Sequence, residues 1–232
     1  QEFEGTIKVA ICGPWTLAAL LGRSRGDVAL ADSGARRDIC QALAVGISTL
    51  FDDLSKRLPK VNFRLQIDEP MLPMVLAGEI PTASGYRRIP KIDTSEVVVG
   101  FSDMAAGAIL HCCAPANLWA IAEQAGFTGL HLNIFECDNE TFDGLATWLE
   151  TEHEVVLGIL DSSALNQLPN TASLTRESLA IINKLEMAPQ LITDQVLLSP
   201  VCGLANWQIS SARKAMRIVS QCVEYVDAEL VG

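Results

Sequence analysis

The sequence predicts an α/β protein built on parallel strands. The chain has 232 residues, of which 49% are hydrophobic and 19% charged, so it can bury a large core. Short apolar runs alternate regularly with longer amphipathic segments, and this alternation indicates parallel strands joined by crossover helices. Polar residues follow several of the apolar runs, at the strand ends where such proteins place their sites.

Six strand–helix pairs can be assigned in chain order from hydrophobic periodicity and from breaker residues. The predicted strands are residues 7–12, 63–67, 107–111, 129–134, 155–160 and 196–199. The predicted helices are residues 31–58, 93–106, a segment opened by Pro115, then 141–151, 174–187 and 208–229. Pro59 follows the first helix, and Pro115 suits the first turn of the third.

Two architectures fit this alternation: an open doubly wound sheet and a closed (β/α)₈ TIM barrel. The first lacks its phosphate-binding signature, because no Gly-x-Gly-x-x-Gly follows the first strand. Six units are two fewer than a barrel needs, and an abrupt N-terminus would explain the shortfall. We predict a single barrel domain over residues 1–232 that lacks its first units, because the polar residues follow the C-terminal ends of strands.

Net charge and cysteine content indicate which classes of partner and which cellular compartment to expect. The formal net charge of −11 argues against nucleic acid and anionic membranes as partners. Apolar runs stay far below the roughly 18 residues of a membrane span, and no signal peptide opens the chain. Seven cysteines without regular spacing suit reduced thiols better than a disulfide framework. We expect a cytoplasmic protein with small-molecule partners.

The sequence His-Cys-Cys at residues 111–113 is the first candidate site. Alternation along an extended strand end places His111 and Cys113 on one side and Cys112 on the other. An imidazole and a thiolate on the same side can both reach one zinc ion. The alternative is that the two cysteines simply pack beneath a loop, as buried free cysteines usually do.

Cys202 favours the metal interpretation. It lies in Pro-Val-Cys-Gly-Leu, directly after the last strand, and a barrel brings all its strand ends to one cavity. One imidazole and two thiolates suit zinc better than magnesium or calcium. Three protein ligands leave an open position, which is typical of catalytic zinc, and a thiol that enters it would lose its proton. We therefore predict a zinc site at His111, Cys113 and Cys202.

Four motifs together resemble a known family. Gly-Pro-Trp-Thr-Leu at 13–17, Gln-Ile-Asp-Glu-Pro at 66–70, His-x-Cys at 111–113 and Pro-Val-Cys-Gly-Leu at 200–204 occur in this order. They look like the catalytic domain of cobalamin-independent methionine synthase, and more narrowly like its short single-domain members in actinobacteria. The resemblance runs from about Gly5 to the last helix.

The resemblance implies a (β/α)₈ barrel in which zinc activates homocysteine for methylation by 5-methyltetrahydrofolate. The family's zinc ligands carry over to His111, Cys113 and Cys202. Its Asp in Gln-Ile-Asp-Glu-Pro, which contacts the amino-acid substrate, carries over to Asp68. Its fourth ligand, a Glu, aligns with Asn133, and Glu136 is an alternative ligand nearby.

The remaining site candidates are carboxylates and a serine. Asp68 and Glu69 are our candidates for binding the substrate, since either can hold an ammonium group, although a strand-end carboxylate can also cap a turn. In the family, a His serves as a proton donor in an Asp-x-His-Ser stretch. Here Asp161 and Ser163 stand in that stretch, and they are our catalytic candidates.

These residues predict zinc-dependent methyl transfer to a thiol such as homocysteine, with a small-molecule methyl donor. One alternative is a zinc- or thiol-binding protein without transfer activity, which the changes at Asn133 and Ser163 favour. A decarboxylase on the same fold is the other alternative, but the strand ends offer few of the cationic residues that it would need.

Overall fold

A computed structural model describes residues 3–24, 26–114 and 117–231 of the chain. Its strands are β1 (Gly5–Cys12), β2 (Val61–Asp68), β3 (Ile109–Cys112), β4 (Gly129–Asn133), β5 (Glu154–Leu160) and β6 (Val196–Pro200). Its α-helices are α1 (Pro14–Leu20), α2 (Ser33–Arg57), α3 (Leu72–Ala77), α4 (Thr94–Phe101), α5 (Trp119–Ala125), α6 (Asn139–Glu150), α7 (Thr171–Ile182), α8 (Pro189–Gln195) and α9 (Ile209–Val231).

The strands form one six-stranded parallel sheet in the order β1-β2-β3-β4-β5-β6. The predicted α/β class with parallel strands is confirmed, but the predicted (β/α)₈ TIM barrel is wrong, because the sheet is not a closed ring of eight units. The alternation of strands and helices indicates that the strands are parallel, but it does not indicate whether the sheet closes into a barrel. The sequential strand order also excludes a doubly wound sheet, whose order reverses at a switch point.

The predicted strands agree with β1–β6 to within two residues at each end. Three short helices, α1, α3 and α8, were not predicted from the sequence; they span six or seven residues each. Two helical turns are too few for a 3.6-residue period to emerge from an apolar sequence. The predicted helix start at Pro115 lies outside the described residues, and α5 begins at Trp119.

The contacts divide the chain into two compact units, residues 1–129 and 130–232. In the first unit, β1 and β2 pair over their full length, from Gly5 with Val61 to Cys12 with Asp68. Helices α1 and α4 and the connection after α5 pack through aromatic rings that meet edge to face. Trp15 contacts Phe101, and Phe101 contacts Phe127, with ring centroids 6.4 and 5.2 Å apart. All three rings are buried.

In the second unit, β5 and β6 pair in register from Val155 with Val196 up to an irregularity between Gly158 and Leu160. A Cβ atom at Gly158 would lie 2.7 Å from Val201 Cα and 2.8 Å from the Leu132 carbonyl oxygen. Glycine is therefore required at this position because backbone approaches it from both sides. The chain reaches Cys202 immediately after this contact.

Among the described residues, no helix is both long enough and apolar enough to cross a membrane.

The Gly158 contact predicts a position that tolerates no side chain. We expect Gly158→Ala to lower the free energy of unfolding by roughly 1–3 kcal/mol, because backbone atoms must move to admit the methyl group. Gly46→Ala within α2 is the matched control, since a Cβ atom there meets nothing within 4 Å and alanine favours helix. Urea denaturation followed by circular dichroism measures both. Equal stability of the two variants would contradict the close approach.

Candidate metal and thiol site

Backbone register aligns the strand ends of the first unit. Cys12 pairs with Asp68, and Asp68 pairs with His111 on the next strand. Two further hydrogen bonds extend this alignment past the strand ends: the Gly13 amide donates to the Asp68 carbonyl (2.9 Å), and the Glu69 amide donates to the His111 carbonyl (2.8 Å). Asp68 and His111 therefore lie side by side on one face of the sheet.

The three predicted metal ligands come together in the structure. A ring nitrogen of His111 and the sulfur atoms of Cys113 and Cys202 all lie within 4.8 Å of one another. A tetrahedral zinc ion, with bonds of about 2.0 to 2.3 Å, holds such atoms about 3.5–3.8 Å apart, so small side-chain movements suffice. His111 is buried and both cysteines are half-buried. This group could hold a metal ion, and its one nitrogen and two sulfurs suit zinc.

Cys112 lies outside this group and is buried, at 4% exposure. Its thiol donates to the Ala114 carbonyl oxygen at 3.7 Å. Burial raises the pKa of the Cys112 thiol to about 11, so it stays protonated at neutral pH. The difference between Cys112 and its neighbours follows the expected alternation of side chains along a strand end.

A serine that the sequence analysis did not single out holds the Cys202 loop. The Cys202 amide donates to Ser162 Oγ at 3.1 Å, and Trp207 Nε1 donates to the Ser162 carbonyl oxygen at 2.9 Å. The Val201 amide continues the sheet by donating to the Leu160 carbonyl oxygen (2.9 Å). No local signal in the sequence identifies Ser162, since its partners lie 40 and 45 residues away.

The two candidates for a fourth ligand have different surroundings. Asn133 Oδ1 accepts a hydrogen bond from the Phe135 amide at 3.1 Å and so caps the short 3-10 helix that follows β4. Glu136 is not among the acidic, His and Cys residues that cluster with His111 in the described chain. Among the described His, Cys, Asp and Glu residues, the group therefore contains three ligands.

Asp161 and Ser163 form a small turn after β5. Asp161 Oδ1 accepts hydrogen bonds from the Ser163 amide (2.8 Å) and from the Ser163 hydroxyl (2.7 Å). The hydroxyl bond is the largest cause that lowers the pKa of Asp161, and the amide bond adds to it. The carboxylate is thus held ionised, and the serine hydroxyl is already donating its proton within the turn.

Asp68 and Glu69 have different environments. Asp68 is half-buried, and its Oδ1 accepts a hydrogen bond from Gln66 Nε2 at 2.7 Å. Glu69 is fully buried, and its two oxygens accept from the Trp15 amide (2.9 Å), the Thr16 amide (2.7 Å) and the Thr16 hydroxyl (2.6 Å).

The Glu69 carboxylate therefore binds the start of α1. Burial raises its pKa to about 7, while the hydrogen bonds from Thr16 and Trp15 oppose that rise. Because its oxygens already accept hydrogen bonds from Trp15 and Thr16, we interpret Glu69 as a structural residue, and Asp68 remains the substrate-binding candidate.

Comparison with known proteins adds no family assignment. No protein-family model matches the chain, and a search of curated proteins finds no match.

The contrast between the two carboxylates predicts opposite effects on stability. Glu69→Ala should lower the free energy of unfolding by roughly 3 kcal/mol or more, because each buried donor left without an acceptor costs about 1–3 kcal/mol. Asp68→Asn should stay within about 0.5 kcal/mol of the parent protein, as expected for a change outside the core. Urea midpoints at pH 8 measure both changes. A stable Glu69→Ala protein would show that α1 does not depend on this carboxylate.

Proposed function

We propose that this protein is a zinc-dependent methyltransferase that methylates an amino-acid thiol such as homocysteine. The observation that supports it best is the group of one imidazole nitrogen and two cysteine sulfurs within 4.8 Å. Three ligands of this kind are typical of catalytic zinc with a position left for substrate. The four motifs that resemble cobalamin-independent methionine synthase supply the reaction class.

His111, Cys113 and Cys202 would hold the zinc ion. When bound, zinc supplies positive charge that lowers the pKa of a substrate thiol and makes it a nucleophile at neutral pH. Two thiolates and a neutral imidazole balance the charge of Zn²⁺, so the ligand set itself does not repel an incoming thiolate.

Asp68 would bind the ammonium group of the substrate. It pairs in register with His111, and neighbouring strands lie about 4.8 Å apart. A short amino-acid thiol anchored at Asp68 therefore has its side chain within reach of the ligand group. The carboxylate–ammonium contact is a charge-assisted hydrogen bond, which is among the stronger polar contacts available to a small substrate.

The transfer forms a carbon–sulfur bond to the substrate and breaks the bond between the methyl group and its donor. A methyltetrahydrofolate donor requires a proton on the departing nitrogen. Ser163 is a weak acid for that task, and its hydroxyl donates to Asp161. We therefore propose a donor whose leaving group needs no proton, such as a methylsulfonium compound, in preference to methyltetrahydrofolate.

A second candidate function is zinc-dependent thiol binding without methyl transfer. Two observations favour it: Asn133 uses its side-chain oxygen as a helix cap, and Ser163 is engaged within its own turn. Both residues stand where the resembled family places a ligand and a proton donor.

The ligand assignment predicts the effect of single cysteine changes on zinc content. Cys113→Ala and Cys202→Ala should each lose most of the bound zinc, because a tetrahedral site is rarely retained on two protein ligands. Cys222→Ala is the matched control, since Cys222 is buried and its thiol lies 3.7 Å from Ser178 Oγ. Elemental analysis after dialysis against a weak chelator measures the zinc. Full zinc in both ligand variants would refute the assignment.

Turnover of homocysteine separates the two candidate functions. The zinc-loaded protein should form methionine faster from S-methylmethionine than from 5-methyltetrahydrofolate, because the sulfonium leaves without a proton. Ser163→His should raise the methyltetrahydrofolate rate about tenfold or more, in line with the size of general acid catalysis. Cys202→Ala should abolish the reaction. Product from neither donor, with zinc retained, would favour the thiol-binding function.

A further inference from the structure

A row of hydrogen-bonded polar side chains crosses β1 and β2 and ends beside His111. Lys8 Nζ donates to Gln66 Oε1, and Gln66 Nε2 donates to Asp68 Oδ1 at 2.7 Å. The strand register explains the row: Lys8 pairs with Arg64, two residues before Gln66 and four before Asp68, so all these side chains lie on one face.

The row lies on an accessible face of β1. Residues of β1 alternate along the strand, and Lys8, Ala10 and Cys12 are exposed while the intervening residues are half-buried. Gln66 at the centre of the row is 4% exposed. Lys8 is exposed and Asp68 is half-buried, so a small molecule can contact both ends of the row, and the buried Gln66 amide joins them by hydrogen bonds.

The two ends carry opposite charges that are kept apart. In the part of the chain that the structure describes, Lys8 and Asp68 form no direct ion pair, because the Gln66 amide lies between them. The Lys8 ammonium has three donors and uses one of them on Gln66. The second oxygen of Asp68 accepts no hydrogen bond from the described residues. Both charged groups thus have capacity for a further partner.

We propose that Lys8 binds the carboxylate of an α-amino acid whose ammonium group is bound by Asp68. The two protein charges are separated by two hydrogen bonds and one amide, on the order of 6 Å. An α-amino acid carries its own opposite charges on one carbon, about 3 Å apart, and a hydrogen bond at each end extends this to the same span. Charges of fixed sign and spacing recognise a zwitterion and discriminate against a simple amine or a simple acid.

The part of this inference that concerns the substrate thiol rests on the proposed function. Recognition of the amino and carboxylate groups depends only on Lys8 and Asp68. It adds a specificity-determining residue that none of the four motifs contains. It also explains why a lysine occupies the exposed face of β1 at a position where its ammonium meets the side-chain amide beside Asp68.

Calorimetric titration of the zinc-loaded full chain with three thiols tests the assignment. L-homocysteine carries both charged groups, 3-aminopropane-1-thiol lacks the carboxylate, and 4-mercaptobutyrate lacks the ammonium. Lys8→Met should weaken homocysteine and 4-mercaptobutyrate by about tenfold or more, as expected for one charge-assisted hydrogen bond, and leave 3-aminopropane-1-thiol unchanged. Asp68→Asn should weaken homocysteine and 3-aminopropane-1-thiol and leave 4-mercaptobutyrate unchanged.

Two control variants complete the experiment. Lys8→Arg keeps the positive charge and should retain homocysteine binding within a few-fold, and Lys56→Met, on helix α2, should leave all three thiols unaffected. Equal weakening of all three thiols by Lys8→Met, or no weakening of any, would overturn the proposal. Titration with L-methionine, which has no thiol, distinguishes failure of the Lys8 proposal from failure of the proposed function. A Lys8-dependent affinity for methionine without thiol preference or turnover would support Lys8 and reject the methyltransferase.

Discussion

The buried carboxylate of Glu69 is the constraint on which the site of the first unit depends. Its two oxygens accept hydrogen bonds from the Trp15 and Thr16 amides and from the Thr16 hydroxyl, so the start of α1 is tied to the end of β2. Gly13 is part of the same contact, because a Cβ atom there would lie 2.3 Å from a Glu69 oxygen. Consecutive residues of a strand point to opposite sides, so the inward Glu69 directs Asp68 toward the face that carries His111.

The loop that carries Cys202 is also positioned by neighbouring residues, here through uncharged contacts. Gly158 lets the backbone of Val201 approach β5, and Ser162 binds the Cys202 amide and the Trp207 indole. In both places a residue next to the candidate site residue has a structural role: Glu69 beside Asp68, and Val201 beside Cys202. A site built this way can change its outward residues, such as Ser163, without losing the loops that present them.

The sequence predicted the strands well because apolar runs bounded by Gly, Pro and polar residues are local signals. It also predicted that His111, Cys113 and Cys202 meet, but from the wrong premise of a closed barrel whose strand ends face one cavity. Closure of the sheet could not be predicted, because it depends on how many strands pair and not on any local pattern. The roles of Glu69 and Ser162 could not be predicted either. Asp68 and Glu69 are adjacent carboxylates that the sequence does not distinguish, and Ser162 binds the amide of a residue 40 positions away.

If the proposed zinc ion is bound, the charges of the site would favour one class of thiol substrate. A zinc ion with two thiolates and a neutral imidazole is formally neutral, so a bound substrate thiolate leaves one net negative charge at the metal. The Lys8 and Asp68 side chains add one charge of each sign and no net charge of their own. A zwitterionic thiol satisfies both of these groups and presents its sulfur as the only further charge. A thiol with an additional anionic group would place uncompensated charge beside that thiolate, whereas an α-amino acid does not. Under the proposed function, selection for homocysteine-like substrates would therefore follow from charge balance.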